Sequence, residues 1–307
     1  MTATGRRTTS SRWRPGLGGR LRAAVRRGLT ALVGDSGEAR VRRWYHRMLR
    51  STGRFGLPEE PATVDMLRAV AGRANTIVDV GGNVGRYAWF LRASAPPGGQ
   101  LIAIEPHPAA AQLLRSTLDG LPGCTVLELA VADMDGTAQL VVPDGAFGQS
   151  LSALAWIELP RDRTSPGIEV PLRRIDGLVA DGSLAVAGPV FMKIDVEGSE
   201  GRVLRGAAAF LRRYRPVVYF ECERAALVRQ GDSAEAVWAE LARAGYATYA
   251  QVNGRFVPVR GVDPRVSNYL ALPVLPGRDD RVSLDRTALG AVLDAWAAET
   301  SARTVTV

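Results

Sequence analysis

From residue 62 onward, short apolar runs rich in β-branched residues alternate with segments of helical periodicity, and this alternation constrains the fold more than any other feature of the chain. It is the signature of a doubly wound, mostly parallel sheet. The strand candidates are "TIVDV", "QLIAIE", "TVLELAV", "VFMKID" and "VVYFEC". Helices are expected over Val84 to Arg92, Ala109 to Leu118, Ser199 to Arg213 and Ala234 to Ala244. Between the third and fourth strands, "TAQLVVP" and "IEVPLRRI" read as additional strands and "DGLVAD" as a short helix. Farther on, Asn253-Gly254 is a hairpin turn pair between apolar strands, "SNYLALP" reads as a final strand, and "RTALGAVLDAWAAE" closes the chain as a helix.

At 307 residues and 46% hydrophobic content the chain can bury a sizeable core. Its expected divisions are a basic extension over 1–60, one α/β domain over 61–275, and a C-terminal helix and tail over 276–307. The net charge of +8 is unevenly spread: residues 1 to 54 hold fourteen arginines against Asp35 and Glu38, so the remainder carries −4. An acidic body argues against a global grip on nucleic acid, so the basic arm needs its own explanation. Within the arm, Leu21, Val25, Leu29, Leu32 and Val33 share one helical face, and Val41, Trp44, Tyr45, Met48 and Leu49 another. Two amphipathic helices follow, which either pack on or lid the main domain, or meet an anionic membrane surface or an acidic carrier protein. No run approaches the roughly 18–20 apolar residues of a membrane span, and the arginine-rich N-terminus lacks the apolar stretch of a secretory signal. A cytoplasmic protein is expected.

Cys124 and Cys222 lie in strand-like contexts without metal-ligand spacing and are read as buried thiols. His46 and His107 are the only histidines, too few for a histidine-rich metal centre, and both are read as surface residues.

The first chemical motif is "VDVGGNVGRYAWFL", which ends a strand, turns on glycines and opens a helix. Gly81, Gly82 and Gly85, flanking Asn83, let the backbone come close to a ligand where the helix presents free amides. Asp79 precedes the turn, and in "IAIEPHP" Glu105 ends the next strand, where a carboxylate can accept both ribose hydroxyls of an adenosine. Pro106 and Pro108 fix the exit of the chain. The dinucleotide fingerprint G-x-G-x-x-G fails here. An acid leading into one glycine turn favours S-adenosylmethionine, whose amino group and sulfonium are cationic, over a nicotinamide dinucleotide. Asp133, after "LELAVA", either meets the adenine amino group or is an ordinary turn acid.

The second motif, "FMKIDVEGSEGRVLRGA", carries the only lysine of the chain, Lys193, followed by Asp195 and Glu197. Residues from about 75 to 223 resemble the FkbM-family methyltransferases through this stretch and through "VDVGGNVG", "IAIEPHP", "AVADMDG", "VPLRRIDGLV" and "VVYFECE". The resemblance implies a Rossmann-like class I methyltransferase fold, a seven-stranded mostly parallel sheet with helices on both faces, here with a helical N-terminal extension. It also implies S-adenosylmethionine as methyl donor and, in most members, an oxygen acceptor.

Alternation along the strand puts Phe191, Lys193 and Asp195 on one face and Val190, Met192 and Ile194 on the other. Ligands of such sheets bind beyond the C-terminal strand ends, so the three charges face the expected cleft. Asp195 is the first candidate for the base that takes a hydroxyl proton or for the group that orients the acceptor. Lys193 is either a desolvated base or the partner of Asp195 or Glu197. Ser199 is a candidate helix cap. Glu221 ends the next strand, and Glu223 follows as a surface acid. If Asp195, Glu197 and Glu221 converge, one lysine leaves an excess of negative charge, which Mg²⁺ held by Asp195 and Glu221 would offset.

These readings converge on methylation of a small-molecule hydroxyl, on a sugar, glycoside or polyketide-type product of secondary metabolism. Amine methylation, or a membrane- or nucleic-acid-associated methyltransferase using residues 1–54, are the alternatives.

Overall fold

The computed structural model describes residue 57 and residues 59–142, 155–159, 166–277 and 279–304. Every described residue belongs to one compact unit, Tyr45–Val307. The arm, its two expected helices and His46 lie outside the described residues.

Helix α1 (Pro61–Ala71) leads into β1 (Thr76–Val80), α2 (Arg86–Ser94), β2 (Gln100–Ile104), α3 (Pro108–Leu118) and β3 (Cys124–Leu127). A small sheet follows, made of β4 (Ala130–Val131), β5 (Gly136–Val141), β6 (Trp156–Glu158) and β7 (Ile168–Arg173). Through α4 (Ile175–Ala180) the chain returns to β8 (Val190–Ile194), then passes α5 (Glu200–Gly206) and α6 (Ala208–Tyr214) to β9 (Val217–Glu221). Helices α7 (Arg224–Arg229) and α8 (Ala234–Arg243), the strands β10 (Tyr246–Val252), β11 (Arg255–Val259) and β12 (Asn268–Pro273), and α9 (Arg286–Thr304) complete it.

The main sheet has the order β11-β10-β12-β9-β8-β1-β2-β3. Strands β3, β2, β1, β8 and β9 run parallel, whereas β12, β10 and β11 add on antiparallel. The class is the expected α/β one, with eight strands rather than seven in this sheet. The run "TVLELAV" is not one strand: β3 stays in the main sheet, and after Leu129 the chain turns to pair β4 with β7. The long helix expected over Ser199 to Arg213 breaks at Ala207, whose φ of −113° leaves the helical range. Three elements were not anticipated, α1, β6 and α7. In α1 the apolar Met66, Leu67, Val70 and Ala71 fall on one buried face, and Pro61 at the first turn costs no hydrogen bond.

Strand alternation sorts the core into two layers. Val78, Val80, Met192 and Ile194 face α4, α5, α6 and α8, while Ile77, Leu101 and Phe191 face α1, α2, α3 and α9. Each fully buried large apolar side chain contributes roughly 1.5–3 kcal/mol relative to exposure, so the two layers hold the strand ends in fixed relation. The hairpin β10–β11 turns as expected on Asn253 and Gly254, both at positive φ, with Val252 opposite Arg255. Cys222 is buried and Cys124 only half so; both are free thiols.

Candidate active site

Five parallel strands end on one edge of the sheet, and the turn after β1 is built for close approach. Gly81 has φ +84°, and a Cβ there would sit 1.8 Å from the Asp195 carbonyl oxygen. The glycine thus serves the contact between the β1 and β8 exits before it serves any ligand. The Gly81 and Gly82 amides both donate to the Ile104 carbonyl at 2.9 Å, which ties the turn to β2.

Glu105 sits just beyond β2 and clamps two segments. One carboxylate oxygen accepts from the Asn83 amide at 2.8 Å, the other from the His107 amide at 2.8 Å. Burial pushes its pKa up to about 7, against the lowering effect of these two amides. His107 is not a surface residue: it is buried and caps α3, its Nδ1 accepting from the Ala109 amide at 3.2 Å.

Lys193 and Asp79 are register partners in adjacent strands and lie buried on one face. The lysine ammonium donates to Asp195 Oδ2 at 3.0 Å and stands 3.5 Å from Asp79 Oδ1. It also lies 4.5 Å from the centre of the Tyr87 ring, whose hydroxyl bonds Glu59. Burial alone would depress the Lys193 pKa, yet Asp195 and Asp79 outweigh it and the value is raised. The lysine is therefore a fixed cation, partner to Asp195 and Asp79 rather than to Glu197.

Asp195, Glu197 and Glu221 come together: one carboxylate oxygen from each lies within 4.8 Å of the others. Glu197 takes φ +56° in a loop held by Glu200, whose Oε1 accepts from the Val196 amide at 3.1 Å and the Gly198 amide at 3.2 Å. Burial first, and the Asp195 charge second, push Glu197 up to about 8 and Glu221 up to about 9. Three oxygens at that spacing could also hold one hard cation, with Glu197 added to the expected pair.

A cavity of about 310 Å³ opens over these ends. Gly81, Asn83, Glu105, Pro106 and the three clustered acids form one side, and Leu129 to Val131, Leu140 and Ala155 to Ile157 the other. Four carboxylates line it, and among the described residues no lysine or arginine does. Asn83 Oδ1 and Ser199 Oγ are buried and without hydrogen-bond partners, and both residues belong to the wall. Ser199 stands at the cap position of α5 without bonding its amides.

The sequence profile of the methyltransferase FkbM domain matches residues 79–248, more than half of the chain. The chain belongs to the FkbM methyltransferase family. Among curated proteins no sequence matches this family member. Among solved structures it is similar to methyltransferase FkbM from Methylobacillus flagellatus at 18% identity and a TM-score of 0.41, covering 65% of this chain but only 44% of that one. It is also similar to an O-methyltransferase from Bacillus cereus solved with SAH, at 13% identity and a TM-score of 0.40 over 82% of this chain and 97% of that one. A third is the O-methyltransferase TomG from Streptomyces achromogenes, involved in tomaymycin synthesis and solved with SAM, at 16% identity and a TM-score of 0.38 over 81% and 96% of the two chains.

Not every expected site residue reaches the cavity of this methyltransferase. Asp133 does not line it; its carboxylate accepts from Arg205 at 3.0 Å, with Arg202 at 3.9 Å, because β4 has already turned the chain into the small sheet. Asp79 is buried beneath the turn, Gly82 and Gly85 belong to the turn but pack against Leu114 of α3 rather than line the cavity, and Lys193 sits behind Asp195. Sequence reasoning missed Ala155 to Ile157 and Leu140. Trp156 is brought in by Arg229, whose guanidinium lies 4.9 Å over its ring and donates to the Glu197 carbonyl at 3.1 Å. No sequence spacing links those three residues; they meet only through two sheets.

Proposed function

We propose that this methyltransferase uses S-adenosylmethionine to methylate a hydroxyl of a small molecule, a sugar, glycoside or polyketide-type product of secondary metabolism. The observation that carries the reading is the sign of the cavity: four carboxylates and no basic side chain among its described walls. Such a lining favours a cationic ligand, against which its acids can ionise, and offers the phosphates of a nicotinamide dinucleotide no counter-charge. Its volume of about 310 Å³ lies at the lower end of the roughly 300–1,000 Å³ of small-molecule sites.

Glu105 would hold the ribose hydroxyls through the lone pairs its two amide bonds leave free, and Asn83 and Ser199 supply the orphaned polar atoms beside it. Trp156 and Ile157 would wall the adenine. When bound, S-adenosylmethionine supplies a methyl group on a sulfonium, open to in-line attack by an oxygen lone pair. Asp195 takes the proton that the acceptor hydroxyl loses, and Lys193, donating to its Oδ2 at 3.0 Å, holds the carboxylate in place. A base so placed contributes ~10²–10⁴ in rate. Orientation contributes more, roughly 7–11 kcal/mol in favourable cases.

Mg²⁺ at Asp195, Glu197 and Glu221 is a second reading, favoured by their mutual spacing. The raised Glu197 and Glu221 pKa values offer the alternative, in which protons offset the crowded charge.

Calorimetric titration with S-adenosylmethionine and separately with NAD, each with magnesium and with chelator, tests the cofactor. Binding of S-adenosylmethionine alone is expected; binding of NAD alone would overturn the reading, and a magnesium requirement would favour the metal. Asp195→Asn is expected to keep cofactor affinity and lose on the order of 10²-fold or more in turnover. Loss of cofactor affinity in that variant would contradict the role given to Asp195.

A further inference from the structure

A second cavity, of about 170 Å³, shares none of its lining residues with the first. Its floor continues the acid row. Strands β9 and β12 pair with Glu221 opposite Asn268 and Tyr219 opposite Leu270, while β8 pairs with β9 with Lys193 opposite Tyr219. Register partners project to the same face of a sheet. Asp195, Glu221 and Asn268 therefore follow one another across the ends of β8, β9 and β12. The first two line the cofactor cavity and the third lines the second cavity. Glu59, Glu60 and Thr63 at the start of α1 stand over that floor, and Gln251 and Phe256 of the β10–β11 hairpin close the far side.

The chemistry of this lining is selective. Thr63, Tyr219, Gln251, Ser267 and Asn268 each both donate and accept hydrogen bonds, which is what hydroxyl groups require. The charged groups are already engaged. Glu59 is bonded by the Tyr87 hydroxyl, and Arg265 grips Asp263 through Nε at 2.9 Å and an Nη at 2.6 Å. With its amide oriented to satisfy both ends, Gln251 donates to Glu60 Oε2 at 3.3 Å. Arg265 is the only basic residue among the described walls, so a phosphate or carboxylate finds no open cation there. Phe256 supplies an apolar surface for the C–H face of a ring. A volume of 170 Å³ falls below the roughly 300–1,000 Å³ of drug-sized sites, which limits the occupant to about one ring.

We propose that this second cavity is the acceptor pocket and that it takes a single uncharged, polyhydroxylated ring, a monosaccharide unit, with one hydroxyl directed at Asp195 and Glu221. The inference rests on the cofactor occupying the first cavity. In the reaction the sulfonium C–S bond breaks as the O–CH₃ bond forms, the hydroxyl proton passes to Asp195, and S-adenosylhomocysteine leaves.

Saturation-transfer NMR on the full chain tests the proposal, with a panel of p-nitrophenyl monosaccharides and a matched panel of primary amines, each with and without S-adenosylhomocysteine. Saturation of sugar-ring protons is expected, and Ser267→Trp, which fills the cavity, and Asn268→Ala, which empties its floor, should each abolish it. Cofactor titration of both variants should match the parent chain, which also establishes that they fold. Failure of every glycoside to show saturation, binding of amines alone, or saturation that survives in both variants would overturn the pocket while leaving the cofactor reading intact. Absence of cofactor binding in the parent chain is a separate result and defeats the cofactor reading instead.

Discussion

Lys193 is 3% exposed and stands 3.0 Å from Asp195 and 3.5 Å from Asp79, itself fully buried. Removing one partner of such a group leaves a charge with neither water nor a counterion, a loss of ~3–5 kcal/mol. Lys193→Met should lower stability by about that amount in urea unfolding, and adding Asp79→Asn should recover part of it, because the stranded charge is then gone. Recovery of nothing would mean that the pair does not interact. The cavity acids carry a second prediction. Glu105 at about 7, Glu197 at about 8 and Glu221 at about 9 hold protons that a cationic ligand must displace. In metal-free buffer, S-adenosylmethionine should bind more tightly as pH rises from about 6 to about 9, with proton release on binding. S-adenosylhomocysteine, without the sulfonium, should show a flatter profile. Calorimetry in buffers of different ionisation enthalpy reads both.

At the scale of elements, two turns with similar backbone angles should respond differently to the same substitution. Gly254 has φ +76° with open space where a Cβ would go, whereas Gly81 at φ +84° would drive a Cβ to 1.8 Å from the Asp195 carbonyl. Gly254→Ala should cost only the left-handed conformation, ~1–2 kcal/mol. Gly81→Ala bears the same strain and must also separate the β1 turn from the β8 exit, so it should be the costlier and should weaken cofactor binding as well. Equal unfolding midpoints for the two variants would show that the β1–β8 contact is slack.

For the whole molecule, α9 closes the layer formed by α1, α2 and α3. Its Trp296 is fully buried and its indole donates to the Arg215 carbonyl at 2.9 Å. Trp296→Ala should cost ~3–5 kcal/mol, measurable as a shift of the unfolding midpoint at unchanged slope. The cavity acids also shape the global pH profile. With folded-state pKa values above the ordinary 4.5 of glutamate, Glu105, Glu197, Glu200 and Glu221 bind protons more tightly in the folded than in the unfolded chain. Their contribution to stability is complete below about 4.5 and is lost as pH rises toward about 9, so the ligand-free protein should lose stability over that window and regain part of it when the cationic cofactor binds.

Local patterns determined a great deal. β-branched runs between helical segments dictate a parallel sheet, and period-two alternation dictates that Phe191, Lys193 and Asp195 share a face, because both effects act within a few residues. By the same logic Asp195, Glu197 and Glu221 could be read as a group, since parallel strands of one sheet end side by side. Only the tertiary structure decided which of those charges face the cavity. Lys193 turned out to stand behind Asp195, held there by Asp79 from the neighbouring strand, and Asp133 was drawn off to Arg205 by the turn into a second sheet. Trp156, Asn268 and Gln251 lie far from the motifs in sequence and enter the two cavities through strand pairing, a long-range contact set by packing that no short spacing encodes.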